Sequence, residues 1–346
     1  MRRVAGFPPG VTRAGLWGAA GLALGAVCAA LPPAYSALVL GGAALLAVSV
    51  WEPAVGVGAA LVLGPSRAYL AAAGYFGPQF DLGQIFFALA LAGWLARGAL
   101  RREIVIPPLG LYLPLAGWIV IGLLSLFGAP AWQDGLNEAI KWIEVAVLIA
   151  LVRAEAQRGR AGWIVGAVLL AGALQAGLGL WQFGLRGAGP ASFQLPDGHF
   201  RAYGTFEQPN PFGGFLGLIW PVAAGLAGGW RPAGPAGGWR CWALPAVGAL
   251  TAGLLLAGLY ASFSRGAWLG AGAAALVLVL AWPRRRAVGL ALAAGGLAGA
   301  GLLAAAGLLP ASVTARLASV VDFAAVTDVR GAHITDANFA LVERLA

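Results

Sequence analysis

Apolar residues recur along the chain in runs long enough to cross a bilayer, each closed by a short polar or Pro/Gly-marked break. The runs fall at roughly 14–31, 34–51, 54–71, 81–98, 108–127, 135–152, 161–183, 210–228, 241–261, 266–282 and 287–308. A spanning helix needs about 17–25 residues, and these runs match that length. They do not alternate with a period of two, which excludes the roughly ten-residue strands of a membrane β-barrel. The predicted fold is all-α: a polytopic transmembrane helix bundle of about eleven spans over 1–308. It is followed by the start of a large extracytoplasmic loop at 309–346, where the pattern turns polar and charged. Punctuation is clear at Pro32-Pro33, Trp51-Glu52-Pro53, Pro107-Pro108, Gly187 to Pro190 and Pro232 to Gly238. The third run is the weakest, because Gly64-Pro65-Ser66-Arg67 interrupts it, and a short or broken helix is expected there.

Composition agrees. The 346 residues are 60% apolar and 10% charged, against about a quarter charged in soluble domains. The 54 glycines suit helices that approach closely in lipid. The net charge of +9 does not imply a nucleic-acid partner, because the arginines sit in short clusters between apolar runs. With the N-terminus in the cytoplasm, alternation puts fourteen arginines inside, among them Arg97, Arg101, Arg102, Arg153, Arg158, Arg160 and Arg284 to Arg286. Seven fall outside: Arg67, Arg186, Arg201, Arg265, Arg316, Arg330 and Arg344. That bias satisfies the positive-inside rule and predicts a multi-pass protein of the cytoplasmic (inner) membrane. Cys28 and Cys241 lie in or beside different apolar runs, so a structural disulfide is not expected. Arg2, Arg3 and Arg13 precede an apolar run that leads directly into another, so no cleavable signal peptide is evident.

Against this background Arg201 to Pro211, R-A-Y-G-T-F-E-Q-P-N-P, stands out as a polar segment beside a span. Such backbone is tolerated at a membrane only where it meets water, protein or a ligand. Arg201 is a fixed cation close to a helix start, an end that itself favours negative charge, and the pair predicts an anion site. Pro209 and Pro211 bracket Asn210, which predicts a shaped turn rather than simple helix. Arg265, in F-S-R-G-A-W, is expected between two spans joined by a very short connection, on the same face as Arg201. Two guanidinium forks match phosphate oxygens better than one. For both arginines the plain alternative is a snorkelling anchor at a span end. Lys141, the one lysine, has Glu138 and Glu144 three residues to either side on one helix face. Charges so placed mark function or a structural ion-pair ladder. Glu207 could orient Arg201 or meet a substrate hydroxyl. His199 and His333 are loop histidines, either of which could act as a base. Two separated histidines and two separated cysteines form no recognisable metal site, and no cofactor is expected.

The chain resembles the O-antigen ligase and polymerase family on three motifs. These are R-A-Y-G-T-F-E-Q-P-N-P at Arg201 to Pro211, S-R-G-A at Ser264 to Ala267 and K-W-I-E at Lys141 to Glu144, together covering its middle half. The resemblance implies inverting, metal-independent transfer of a glycan from an undecaprenyl (polyprenyl) diphosphate carrier, on the outer face of the membrane. The acceptor would be a glycan, lipid or protein. It implies that Arg201 and Arg265 are catalytic, gripping the diphosphate, with Lys141, Glu144, Glu207 and Asn210 as candidate substrate-binding residues. Family members activate the acceptor with a histidine late in the large loop; His333 lies early for that role. The chain is therefore expected to be a C-terminally incomplete member, with its base beyond Ala346. A secondary transporter for a small, bicarbonate-like anion is the main alternative. The interruption near Pro65 and the Lys141–Glu set suit it, whereas cations gathered at one face and the lack of an inverted repeat do not. A scaffold without chemistry would leave the Arg201 segment unexplained.

Overall fold

The computed structural model describes residues 21–23, 25–26, 30–74, 77, 81–102, 108–127, 132–229, 240–281, 286–307 and 313–314. Most of the first expected span, Cys28, and nearly all of 309–346 including His333 lie outside the described residues. Among the described residues the chain is helical, with a single isolated β-bridge between Gln194 and Phe200. The helices are α1 (Pro33–Trp51), α2 (Pro53–Leu63), α3 (Arg67–Ala72), α4 (Leu82–Arg101), α5 (Leu109–Leu124) and α6 (Trp132–Glu155). They continue with α7 (Ala161–Gly184), α8 (Pro209–Gly229), α9 (Arg240–Ala261), α10 (Arg265–Ala281) and α11 (Arg286–Ala305).

Proline and glycine set the boundaries. Pro33 opens α1 at a position whose N–H has no helical acceptor anyway. Pro53 disfavours helical backbone at the residue before it, and Glu52 ends α1 at φ −127° and ψ 91°. The expected interruption of the third run is a 3-10 turn, Gly64–Ser66, between α2 and α3. Between α6 and α7 a π turn, Ala156–Arg160, carries Gly159 at φ 79°, outside helical space.

Five helical stretches among the described residues are long and apolar enough to cross a membrane: Pro53–Ala72, Leu82–Arg101, Gly135–Gly184, Pro209–Gly228 and Ala243–Ala261. Gly135–Gly184 counts 50 residues. Unbroken, it would run about 75 Å at 1.5 Å per residue, more than twice the ~30 Å hydrocarbon core. The left-handed Gly159 divides it into two stretches of spanning length. Tyr35–Trp51, Leu109–Leu124 and Arg265–Leu280 are apolar but shorter. Large side chains such as Leu38, Leu109, Ile121, Leu218, Leu250 and Leu269 point outward. Such an apolar exterior suits lipid as its solvent.

The chain forms two compact units, each drawn from two stretches: Met1–Leu61 with Leu82–Val165, and Val62–Asp81 with Gly166–Ala346. In the first, α1 packs on α4 and α5 on α6, and Val57, Ala90, Leu151 and Ile164 make a small core. Three polar connections meet there. Glu52 lies 3.7 Å from Arg158 and 3.3 Å from Arg160. Arg158 also pairs with the fully buried Glu155 at 2.8 Å, which Arg97 approaches to 3.6 Å. Arg97 donates to the Trp51 carbonyl as well.

In the second unit α8 packs extensively on α9 and also against α10, around Phe212, Leu216, Ala223 and Leu255. Lipid is as apolar as leucine, so helices here are held by close packing and polar contacts rather than by escape from water. Gly248 shows how close: a Cβ there would stand 2.6 Å from the Ala227 amide nitrogen.

Segments 51–52, 97 and 155–160 touch one another in the first unit. Segments 65, 201–205 and 262–263 touch one another in the second.

Candidate functional site

The Arg201 segment is built into the second unit by two buried glutamines of α7. Gln182 accepts from the Gly204 amide at 2.7 Å and the Tyr203 amide at 3.1 Å, and donates to the Gly204 carbonyl at 2.8 Å. Gln175 accepts from the Thr205 amide at 3.0 Å and donates to the Thr205 hydroxyl at 2.9 Å. That hydroxyl donates onward to the Pro65 carbonyl at 2.7 Å, which ties the 3-10 turn to the same site. Two glutamines therefore do for this irregular backbone what a helix does for its own, which is the condition for non-helical chain at a membrane. Gly204 sits at φ 57°, and a Cβ on it would lie 2.5 Å from Gln175 Oε1. Both the left-handed backbone and the close approach call for glycine.

Arg201 is half-buried and points to the turn between α9 and α10. Its Nε donates to the Ser262 carbonyl at 2.9 Å; its Nη2 donates to the Phe263 carbonyl at 3.3 Å and to Asn210 Oδ1 at 3.1 Å. The Ala202 amide adds a bond of 2.8 Å to the Ala261 carbonyl. The turn itself is tightly held. Ser262 Oγ donates to the Leu259 carbonyl at 2.6 Å, and Trp268 Nε1 reaches the same carbonyl at 3.1 Å. Phe263 is buried at φ 47°, a conformation that costs a non-glycine residue about 1–3 kcal/mol and persists only where its surroundings enforce it. Here it packs among Phe183, Tyr260 and Trp268.

Arg265 follows two residues after Phe263. It is the first residue of α10, one position ahead of the expected run, and the connection from Ala261 is only three residues. A cation at a helix N-terminus adds to the positive end of the helix dipole, and both favour an anion. Arg186 is a further cation at this end of the unit, donating to the Tyr203 hydroxyl at 2.8 Å.

One expectation is corrected. Pro209, Asn210 and Pro211 are the first turn of α8, not a turn ahead of it. First-turn N–H groups lack helical acceptors, so proline is tolerated there. The consequence is chemical: the two prolines remove N–H donors from the end of α8, so that helix start is a poorer anion site than expected. Asn210 instead presents its side-chain oxygen to Arg201. Glu207 is exposed at φ 60°, a further non-glycine residue in left-handed backbone.

Thus the structure joins Arg201, Asn210 and the turn leading into Arg265, with Glu207 on the connecting loop. Lys141 and Glu144 belong to α6 in the other unit. Lys141 pairs with Glu138 on an exposed face, and Glu144 is half-buried one turn on. Among the described residues no cluster of three or more His, Cys, Asp or Glu is arranged to hold a metal ion.

Gln175, Gln182 and Thr205 were not singled out from the sequence. The signal was present: two glutamines seven residues apart within one apolar run lie on a single helix face, two turns from each other.

Comparison with known protein families, with characterised proteins and with solved structures finds no match to this chain.

Proposed function

We propose that the protein is an O-antigen ligase-like glycosyltransferase of the cytoplasmic membrane, moving a glycan from a polyprenyl-diphosphate carrier to an acceptor on the extracytoplasmic face. The observation that carries this is the guanidinium of Arg201, fixed by the Ser262 and Phe263 carbonyls immediately before Arg265. A diphosphate leaving group gathers negative charge as the sugar–oxygen bond breaks. Cations already oriented toward that charge stabilise it without reorganising at the moment of reaction. Three hydrogen bonds hold the Arg201 guanidinium against the turn that leads into α10, which is more order than a solvated membrane anchor requires. Asn210 accepts from Arg201 and orients it; in this reading Glu207, exposed on the loop between them, meets a hydroxyl of the substrate. No nucleotide-binding motif is needed, because the lipid carrier already holds the activated bond.

The test is transfer of a labelled glycan from undecaprenyl diphosphate by the full-length protein. Arg201→Ala and Arg265→Ala are each expected to abolish transfer while membrane insertion is retained. Transfer by both variants would overturn the proposal.

One observation favours the transporter reading. Glu155 is fully buried among Arg97 and Arg158, and ionisable groups within spanning helices often mark ion paths. Uptake of labelled bicarbonate into proteoliposomes without any lipid-linked donor would establish it.

A further inference from the structure

A cavity of about 260 Å³ lies in the first unit among α4, α5 and α6, lined by Trp94, Tyr112, Ile143, Ala146, Val147 and Ala150. The four α6 residues are spaced by three, one and three, which puts them on one stripe of the helix. The Tyr112 hydroxyl is taken up by the Ala146 carbonyl, to which it donates at 3.1 Å. The walls therefore offer hydrocarbon and ring faces. An apolar cavity of about 150 Å³ already stays dry and takes a benzene ring, so this one has room for a stretch of alkyl chain.

The helices that wall the groove carry cations past one end of it. Arg101 follows Trp94 by seven residues on α4, and Arg153 follows Ala150 by three on α6, so each continues the stripe that lines the groove. Both are exposed, and neither makes a hydrogen bond or ion pair among the described residues. Their neighbours differ: Arg97, Arg158 and Arg160 are engaged with Glu52 and Glu155. Those two carboxylates are thus taken, and this end of the unit keeps an excess of positive charge. A helix C-terminus by itself favours a cation, which accounts for an arginine in each last turn. It does not account for an apolar groove leading up to both. From Ile143 to Arg153 is ten residues, about 15 Å of helix, or half of the ~30 Å hydrocarbon core. Groove and cations together have the dimensions of one leaflet, with the charge at its rim.

We infer that this groove seats an acyl chain of an anionic glycerophospholipid whose phosphate meets Arg101 and Arg153. A soluble anion would use the cations and leave the groove without purpose. A zwitterionic lipid would use the groove but gain less from the excess charge. Basic sites between spanning helices are a known way of holding anionic headgroups, and the positive-inside bias expects this end at the cytoplasmic leaflet, which is anionic. The site belongs to the unit without Arg201 and assumes nothing about the reaction.

The experiment uses the full chain, purified and reconstituted in phosphatidylcholine vesicles. Lipids brominated on the acyl chain are added as contact quenchers, and Trp94→Phe isolates the share of the emission that comes from Trp94. Brominated phosphatidylglycerol is expected to quench that share at a mole fraction about 25-fold lower than brominated phosphatidylcholine, roughly fivefold for each arginine. On wild type alone, raising the salt from about 0.1 M to 1 M should erode that ratio, because the Debye length falls from about 10 Å to 3 Å. Arg101→Gln with Arg153→Gln should bring the ratio to within about twofold of unity. Arg67→Gln, which removes a cation from the second unit, should leave it unchanged. Ala146→Leu adds bulk inside the groove and should weaken quenching by both lipids with the charges intact. Equal quenching by the two lipids in wild type, or a ratio that survives in the double variant, overturns the inference. So does displacement of brominated phosphatidylglycerol by millimolar inorganic phosphate, which would make this a free-anion site.

Discussion

Replacing Gln182 with methionine asks whether the Arg201 segment owes its shape to α7. The two side chains are similar in volume, so packing is nearly conserved. What is lost is three hydrogen bonds at a residue only 4% exposed: two backbone amides and one carbonyl, of Tyr203 and Gly204, are left without their partner. A buried polar group left unsatisfied costs about 1–3 kcal/mol. Taking the low end for each group gives about 3 kcal/mol, since part of the segment is solvent-accessible and water can replace some bonds. That loss raises the population of the locally open state by on the order of 10²-fold. Hydrogen–deuterium exchange of the peptide covering 199–206 should accelerate by that factor, while peptides from the centre of α8 and α9 keep their protection. Gln182→Glu should fall between, because a carboxylate still accepts from both amides but faces the Gly204 carbonyl with an oxygen. Unchanged exchange at Tyr203 and Gly204 in Gln182→Met would refute the claim that α7 shapes this loop.

Further outcomes follow from the same contacts. Gly204→Ala should destabilise the loop by about 1–3 kcal/mol, read as a lower Tm in detergent, because alanine meets both a left-handed backbone and the Gln175 side chain. Arg201→Lys retains the charge but cannot span the Ser262 and Phe263 carbonyls and Asn210 together; transfer should fall at least about tenfold, and a rate equal to wild type would show that charge alone suffices. Gly248→Leu should reduce the yield of folded protein on size-exclusion chromatography, because α8 and α9 approach through that position. Lys141→Met should leave transfer within about twofold, since an exposed pair three residues apart contributes about 0–1 kcal/mol; a large loss would bring α6 into the site.

The helices were legible because span length and proline punctuation act locally. The run expected at 210–228 is α8, Pro209–Gly229, and the run at 241–261 is α9, Arg240–Ala261. The interruption at Pro65 was legible for the same reason. Span number was not, because length and hydropathy identify five stretches among the described residues and leave shorter apolar helices such as Leu109–Leu124 undecided. In the site, Arg201 was visible as a cation in polar backbone, but its partners were not. The carbonyls of Ser262 and Phe263 lie some sixty residues downstream, and backbone acceptors carry no sequence signature. Asn210 was expected in a turn and lies in a helix, because proline discourages helix only where an N–H would have had a partner. His199 looked like an isolated loop histidine; what distinguishes it is a fold that sets Phe183 and Asp197 against its ring.

The most direct test of the central claim is glycan transfer from undecaprenyl diphosphate by full-length Arg265→Ala, measured beside quantified membrane insertion. Insertion equal to wild type with transfer reduced to background is the predicted result. Insertion and transfer both equal to wild type would contradict it.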